Sequence, residues 1–163
     1  MPNNHPIKIA ILDDHQIVID GLKLLLSSHA QFQIIHESNN GFDMLDLLES
    51  KPADILLTDV MMPAIDGFEV AMQVRARFPA VKVVALTMNG EGVLIDKMLE
   101  QAEIAGYLLK TIDKKELVVA LETIHKGIRY FSDEIMNELE LFQKIKKENE
   151  HINLTTREVE IIR

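Results

Sequence analysis

The chain has no cysteine and no tryptophan, and only 5 prolines and 7 glycines among 163 residues. Without cysteine there can be no disulfide framework, no thiolate metal site and no nucleophilic thiol, and a reducing compartment is permitted. No stretch approaches the ~18 apolar residues of a membrane span. The start, Met1-Pro2-Asn3-Asn4-His5-Pro6, has neither the basic region nor the apolar core of an export signal. These absences lead to the expectation of a cytoplasmic protein with no membrane partner. Positive charge is scarce too: 17 Lys+Arg stand against 26 Asp+Glu, a net charge of −9. The deficit is uneven, with 8 basic against 15 acidic residues over 1–110 and 9 against 11 over 111–163. An acidic body repels a phosphate backbone, which argues against the first 110 residues as a nucleic-acid surface.

What is present is a 47% hydrophobic chain, enough to bury one full core with about 30 to 40 residues left over. Ile55-Leu56-Leu57 is a short apolar run of the kind buried on both faces of a parallel sheet, and it ends at Asp59. Pro63 then stiffens the loop, and Asp66-Gly67-Phe68-Glu69 has the Asp-x-x-Glu form that starts a helix. Four more strands follow from the same logic. They are Ile7 to Leu12, running into Asp13-Asp14; Gln33 to Glu37; Val81 to Leu86, ending at Thr87; and Ala105 to Leu109, ending at Lys110. Between them lie helical apolar periods: Ile17, Leu22, Leu24, Leu25 and Leu26; Phe42, Leu45, Leu47 and Leu48, stopped by Pro52; Val70, Met72 and Val74; Val93, Leu94, Met98 and Leu99; and, capped by Asp113 with Glu116, Leu117 to Ile124. Alternation at this spacing requires right-handed crossovers and a doubly wound α/β domain with a five-stranded parallel sheet.

In such a sheet the strand ends share one edge, and ligands bind in the crevice beyond them. That edge would gather Asp13, Asp14, Asp59, Thr87 and Lys110. Taken singly, each could be a helix cap, a turn residue or half of a structural ion pair. Four polar strand ends arising for unrelated reasons is the poorer explanation. Converging carboxylates without cysteine or clustered histidine make a hard oxygen site suited to Mg²⁺. A lysine charge and a threonine hydroxyl beside them can hold a phosphoryl group on one carboxylate. His15 could reach a metal-bound water, but capping or solvent contact is the expected role. Met44, Met72, Met98 and Met136 read as helix-face core residues.

The combination of Asp13-Asp14, Asp59-Val60-Met61-Met62-Pro63 with Asp66-Gly67, Thr87, and Gly106-Tyr107-Leu108-Leu109-Lys110 resembles the receiver domain of two-component response regulators over residues 6–128. The resemblance implies the flavodoxin-like (CheY-like) fold, with Asp59 as phosphoacceptor. It implies Mg²⁺ held by Asp14, Asp59 and the backbone carbonyl of Met61, with Asp13 acting through a water. Lys110 would contact the phosphoryl group, and Thr87 and Tyr107 would switch with it, carrying the change to the surface around the fourth and fifth helices. Its partner would be a sensor histidine kinase, and a homodimer is admitted. The chain would be a phosphorylation-controlled switch rather than an enzyme, with no catalytic residues beyond its own phosphoryl transfer and dephosphorylation. The Gly-Tyr-Leu-Leu-Lys form, together with Leu154 to Ile162, is similar to the NarL/FixJ subfamily, whose output is a LuxR-type helix-turn-helix that regulates transcription by DNA-binding. Where that subfamily usually has Gly-Ala this chain has Glu103-Ile104, at the end of the fourth helix.

After Ser132 the pattern changes. Ile135, Leu139, Phe142 and Ile145 keep a helical period among mixed charges, as an amphipathic linker helix would. The expected organisation is therefore a receiver over 6–128, a helical linker over 129–153, and the truncated start of a helix-turn-helix over 154–163, with a new helix beginning near Thr156 at the capping box Thr155 to Glu158. On this reading DNA is bound only by a longer parent chain. Two other classes compete. An aspartyl-nucleophile phosphate-ester hydrolase would carry Asp-x-Asp on the first strand, whereas here the two acids are adjacent and the isolated one lies on the third. A stand-alone receiver has no use for the tail after Ser132.

Overall fold

The computed structural model describes residues 5–162, with side chains described for residues 5–152. Twelve elements alternate in chain order: β1 (Ile7–Leu12), α1 (Gln16–Leu26), β2 (Phe32–Ser38), α2 (Gly41–Ser50), β3 (Ile55–Asp59), α3 (Gly67–Arg77), β4 (Lys82–Thr87), α4 (Gly92–Gln101), β5 (Gly106–Leu109), α5 (Lys114–His125), β6 (Tyr130–Phe131) and α6 (Asp133–Ile162). The strands form one parallel sheet in the order β2-β1-β3-β4-β5-β6. The order reverses between β1 and β3, which is where an open sheet of this kind places its ligand crevice.

Side-chain alternation along the strands divides the core into two layers. Ile9 and Ile11 of β1, with Ile55 and Leu57 of β3, pack against Ile19 and Leu22 of α1 and Leu117 and Leu121 of α5. Ala10, Leu12 and Leu56 face the other way, among Met44 of α2, Val70 and Val74 of α3, and Ile95 and Met98 of α4. Every residue of β3 is buried, as its continuous apolar run anticipates. The helix starts follow the capping logic: Asp66 accepts from Glu69 N at 2.9 Å and Asp113 from Glu116 N at 2.8 Å. Asn40 caps α2 in the same way.

Four features differ from the sequence expectation. A sixth strand, β6, pairs with β5 through Gly106↔Tyr130 and Tyr107↔Phe131; two residues carry no periodicity to read. On α1, Ile17 and Leu24 are 81% and 75% exposed, because Ile19, Leu22 and Leu26 already fill the inward stripe. Of the four methionines, Met44 and Met98 are buried, while Met72 and Met136 lie at the exposed margin. The fourth concerns the tail: α6 runs unbroken for 30 residues through Thr156, where a fresh start was expected. No glycine or proline interrupts residues 133–162, so nothing stops propagation. The Thr155 to Glu158 side chains lie outside the described residues. The first turns of α6 are not a free tether, since Ile135 and Leu139 are buried in the core layer that holds α4.

The end of α4 keeps its turn without glycine. Glu103 takes a left-handed backbone (φ +49°), and Ile104 is fully buried behind it. Such a conformation costs a non-glycine residue about 1 kcal/mol. Arg75 of α3 binds both sides of this turn: its guanidinium donates to Gln101 O at 2.5 Å and ion-pairs with Glu103 Oε1 at 3.0 Å.

Candidate functional site

At the carboxyl edge of the sheet, the adjacent strands β1 and β3 lead into Asp13 and end at Asp59, and β5, one strand further across β4, leads into Lys110. Asp13 is fully buried and Asp59 nearly so. The Lys110 ammonium lies between them, 2.8 Å from Asp13 Oδ2 and 3.1 Å from Asp59 Oδ1. Backbone bonds fix this arrangement. Lys110 N donates to Thr87 O at 2.7 Å, Val60 N to Leu86 O at 3.3 Å, and Asp13 N to Ser38 O at 3.1 Å. Asp14, on the loop that follows β1, is partly exposed. One oxygen each of Asp13, Asp14 and Asp59, together with a ring nitrogen of His15, lie within 4.8 Å of one another.

The β3–α3 loop is held against the site by close packing. Gly67 N donates to Val60 O at 2.9 Å. A Cβ on Gly67 would sit 2.2 Å from Asp59 O and 2.8 Å from Val60 Cα, so only glycine lets α3 approach this closely. Met61 N donates to Asp59 Oδ1 at 3.4 Å, while the Met61 side chain is exposed. Ala64, just after Pro63, takes a left-handed backbone (φ +68°) at the tip of the loop.

The electrostatics follow from burial and crowding. Burial pushes the Asp59 carboxyl above the usual aspartate range, the negative charge of Asp13 and the contact with Asp14 add to this, and Lys110 opposes it without cancelling it. Burial alone would lower the Lys110 ammonium, but Asp13 and Asp59 outweigh it and hold Lys110 above an ordinary lysine. With all three aspartates ionised, one lysine leaves two negative charges in excess. Asp14 Oδ1 and Asp13 Oδ2 are buried atoms without a hydrogen bond; the first has the His15 ring nitrogen at 3.0 Å and the second the Lys110 ammonium at 2.8 Å. An oxygen-lined site with an uncompensated charge of two suits a hard divalent cation, so the donor set is compatible with Mg²⁺.

Thr87 and Tyr107 stand next to the carboxylates on β4 and β5. The Thr87 hydroxyl donates to Asn89 O at 2.7 Å and accepts from Asn89 N at 3.3 Å, so it is engaged by the β4–α4 loop rather than by Asp59. The Tyr107 ring is fully buried and its hydroxyl has no hydrogen-bond partner. Burial, with the charges of Glu91 and Asp59, holds that phenol well above its ordinary range.

Of the two roles expected for His15, solvent contact holds, with the side chain 67% exposed, and capping does not. Its backbone occupies the position before α1, but its side chain makes no capping bond. The imidazole instead turns back to the carboxylates, with Nδ1 at 3.0 Å from Asp14 Oδ1 and 3.5 Å from Asp13 Oδ1. Two further residues escaped the sequence reading. Asn39, just after β2, donates from Nδ2 to Asp13 O at 2.9 Å and tethers the loop that carries the acids. Ser132, ahead of α6, donates its N–H to Tyr107 O at 3.1 Å and accepts from Leu109 N at 3.4 Å. The Ser38-Asn39-Asn40 run after a strand was the available signal for the first; a serine before a helix reads only as a cap.

Comparison with known proteins agrees with this geometry. Residues 9–122 match the response regulator receiver domain family. The transcriptional regulatory protein LnrK of Bacillus subtilis is 34% identical, over 96% of this chain and 75% of its own length. The transcriptional regulatory protein DegU of Brevibacillus brevis is 29% identical over 84% of this chain, which spans 58% of DegU. A crystal structure of a LuxR-family two-component response regulator from Aurantimonas superposes with a TM-score of 0.79 at 28% identity, covering 85% of this chain and 98% of that one. Among the described residues no helix is long and apolar enough to cross a membrane. The chain belongs to the response regulator receiver family: it is a switch under phosphorylation control rather than a metabolic enzyme, homologous to the regulators of transcription in two-component systems.

Proposed function

We propose that Asp59 is the residue that receives the phosphoryl group, from a phosphohistidine of a sensor histidine kinase. The observation that carries this reading is the position of Asp59 at the end of β3, nearly buried, 3.1 Å from the Lys110 ammonium and grouped with Asp13 and Asp14. A carboxylate oxygen of Asp59 attacks phosphorus, the P–N bond to the histidine breaks, and the departing imidazole takes a proton from solvent. Hydrolysis later cleaves the acyl phosphate and returns Asp59 and free phosphate.

Mg²⁺ would be held by Asp14, Asp59 and the Met61 carbonyl, with Asp13 acting through a water, and when bound it supplies charge neutralisation for the incoming phosphoryl oxygens. The chain's own residues do the rest. Lys110 stabilises charge on the transferred group, and Asp13 keeps Lys110 aimed at the site. Thr87 gives up Asn89 to donate to the phosphoryl oxygen, and Tyr107 responds to the space this opens. A cytoplasmic setting, a homodimer, and DNA binding by a helix-turn-helix attached through α6 complete the reading. The homologous transcriptional regulators support the last of these.

The test is intact mass after incubation with acetyl phosphate. The expected gain is one phosphoryl group, seen only with Mg²⁺ and absent in Asp59→Asn. An unchanged gain in Asp59→Asn would sink the assignment.

A further inference from the structure

His15 has no part in the phosphoryl chemistry proposed above, yet the loop after β1 holds it against the carboxylates. Its backbone N–H donates to Asp13 Oδ1 at 2.9 Å, which fixes the residue beside that acid. The ring then lies with Nδ1 3.0 Å from Asp14 Oδ1 and 3.5 Å from Asp13 Oδ1, although the start of α1 was open to it as a cap. The short approach to Asp14 is not a hydrogen bond, since Asp14 Oδ1 is buried and has no hydrogen-bond partner. Two polar atoms this close that do not bond one another are arranged as ligands around a common point are arranged. The distances admit such a point. One oxygen from each of Asp13, Asp14 and Asp59 and one ring nitrogen of His15 lie within 4.8 Å of one another. Donors about 2.1 Å from an ion stand at most about 4.2 Å apart, so closing this set requires adjustments below about 1 Å. His15 is largely exposed and Asp14 partly so, and both can make that adjustment without disturbing the core. Lys110 does not contest the position: it holds Asp13 through Oδ2, whereas His15 lies on the Oδ1 side.

A ring nitrogen changes which ion such a site prefers. Mg²⁺ takes hard oxygen donors and keeps several of its waters, so an imidazole adds little to its binding. Ions of the Ni²⁺, Cu²⁺ and Zn²⁺ class accept imidazole readily, and at a mixed nitrogen and oxygen site they bind more tightly than the earlier divalent metals of the row. We propose that His15 is a metal ligand: with the three aspartates it forms a nitrogen and oxygen site for a transition ion of this class, and it sets the selectivity of the edge between that ion and Mg²⁺. Both ions use the same carboxylates, so they exclude one another. A histidine acting only as a counter-charge to the acids would move the affinity of every divalent cation alike, whereas a ligand discriminates between them. The inference rests on the carboxylate edge being the cation site of the proposed function.

The experiment uses the full chain, dialysed free of metal. Calorimetry at one fixed pH measures the binding of Ni²⁺ and of Mg²⁺ to the parent, His15→Gln, Asp14→Asn and Asp59→Asn, with melting curves to establish that each is folded. Glutamine keeps a polar side chain at position 15 and removes the imidazole. The parent should bind one Ni²⁺, more tightly than Mg²⁺ and in competition with it. Loss of a residue that merely supports a metal ligand costs about 10- to 100-fold in affinity, so loss of the ligand itself should lower the ratio of Ni²⁺ to Mg²⁺ affinity about 100-fold in His15→Gln. Cu²⁺ at one equivalent adds a direct signature, because pulsed electron paramagnetic resonance detects the remote nitrogen of a bound imidazole. That signal should be strong in the parent and lost in His15→Gln, which retains five of the six histidines and so controls for adventitious binding. A parent that prefers Mg²⁺, a ratio unchanged in His15→Gln, or a nitrogen signal of undiminished strength there refutes His15 as a ligand, while loss of Mg²⁺ binding in Asp14→Asn and Asp59→Asn leaves the carboxylate site standing. If both aspartate variants bind Mg²⁺ and Ni²⁺ as the parent does, the cation site itself falls, and this inference with it.

Discussion

Gly67→Ala tests whether the close approach of α3 to the end of β3 positions the site. The added Cβ would lie 2.2 Å from Asp59 O, 2.8 Å from Val60 Cα and 3.1 Å from Asp59 C, all backbone atoms that cannot swing aside as a side chain would. Restoring ordinary contact at about 3.4 Å moves the loop or the helix by more than an ångström. Overpacking of this kind costs about 1 to 3 kcal/mol, and because the obstacle is backbone the upper half of that range applies. Alanine returns less than about 1 kcal/mol in helix propensity, since residue 67 is at the first position of α3. The expected net loss is about 2 kcal/mol, or roughly 4 to 8 °C in melting temperature for a chain of this length. The functional loss should be larger, since the same displacement moves Asp59 and the Met61 backbone, and misplacement by about 1 Å can cost 100-fold in rate. Gly21→Ala is the control: Gly21 lies inside α1, a Cβ there meets nothing within 4 Å, and the change should stabilise by up to about 1 kcal/mol. Chemical denaturation and the rate of mass gain from acetyl phosphate read the two effects. A Gly67→Ala protein as stable as the parent, and phosphorylated at the same rate, would refute the argument.

Lys110→Ala should remain folded but respond poorly to phosphorylation, by a factor of about 100 in phosphoryl gain, since it removes the positive charge that faces Asp59; a folded variant responding as the parent does excludes Lys110 from the switch. Tyr107→Phe removes a buried hydroxyl without a partner, and it should raise stability by about 1 kcal/mol in urea unfolding, whereas a clear loss would mean the hydroxyl is satisfied. Because Asp59 is held above the ordinary aspartate range, the folded state binds more protons than the unfolded one between the unfolded and folded pKa values, and stability falls as pH rises through that window. Asp59→Asn should abolish this part of the pH dependence and be the more stable protein at neutral pH, which parallel melting curves from pH 4 to pH 8 would check; coincident curves would contradict the raised carboxyl.

The sheet and its helices were legible because their signals are local. A β-branched run ending in an acid, or an apolar period stopped by Pro52, depends on residues a few positions apart. What escaped depends on distant ones. Tyr130-Phe131 becomes a strand only because β5 offers it an edge. Gly92 reads only as the first residue of a helix, and Gly90 carries no signal at all, until α6, some 45 positions later, is seen to lie on them. The capping box at Thr155 is a local signal that lost, since a helix already propagating without a breaker has no reason to restart. At Glu103-Ile104 the sequence lacks the expected glycine, yet the left-handed turn persists. There Arg75, from another helix, supplies two contacts that offset the strain.

The site divides along the same line. That acids, a threonine and a lysine share one sheet edge follows from strand order alone, since parallel strands must end together. How those groups apportion charge does not. Lys110 could have paired with either aspartate; the structure has it bridge both, and so the crowding around Asp59 is reduced but not relieved. His15 leaves the start of α1 uncapped and faces Asp14, a choice that favours contact with the carboxylates over a helix end whose free N–H groups solvent can serve. The residual negative charge is what connects the site to its chemistry. If Lys110 neutralised all three acids the pocket would have no need of a cation, and a phosphoryl group would meet no charge that its arrival could reorganise. With all three aspartates ionised two charges would be left over, and on the proposed reading a divalent cation and a phosphoryl group would each change which partner Lys110 and Thr87 prefer.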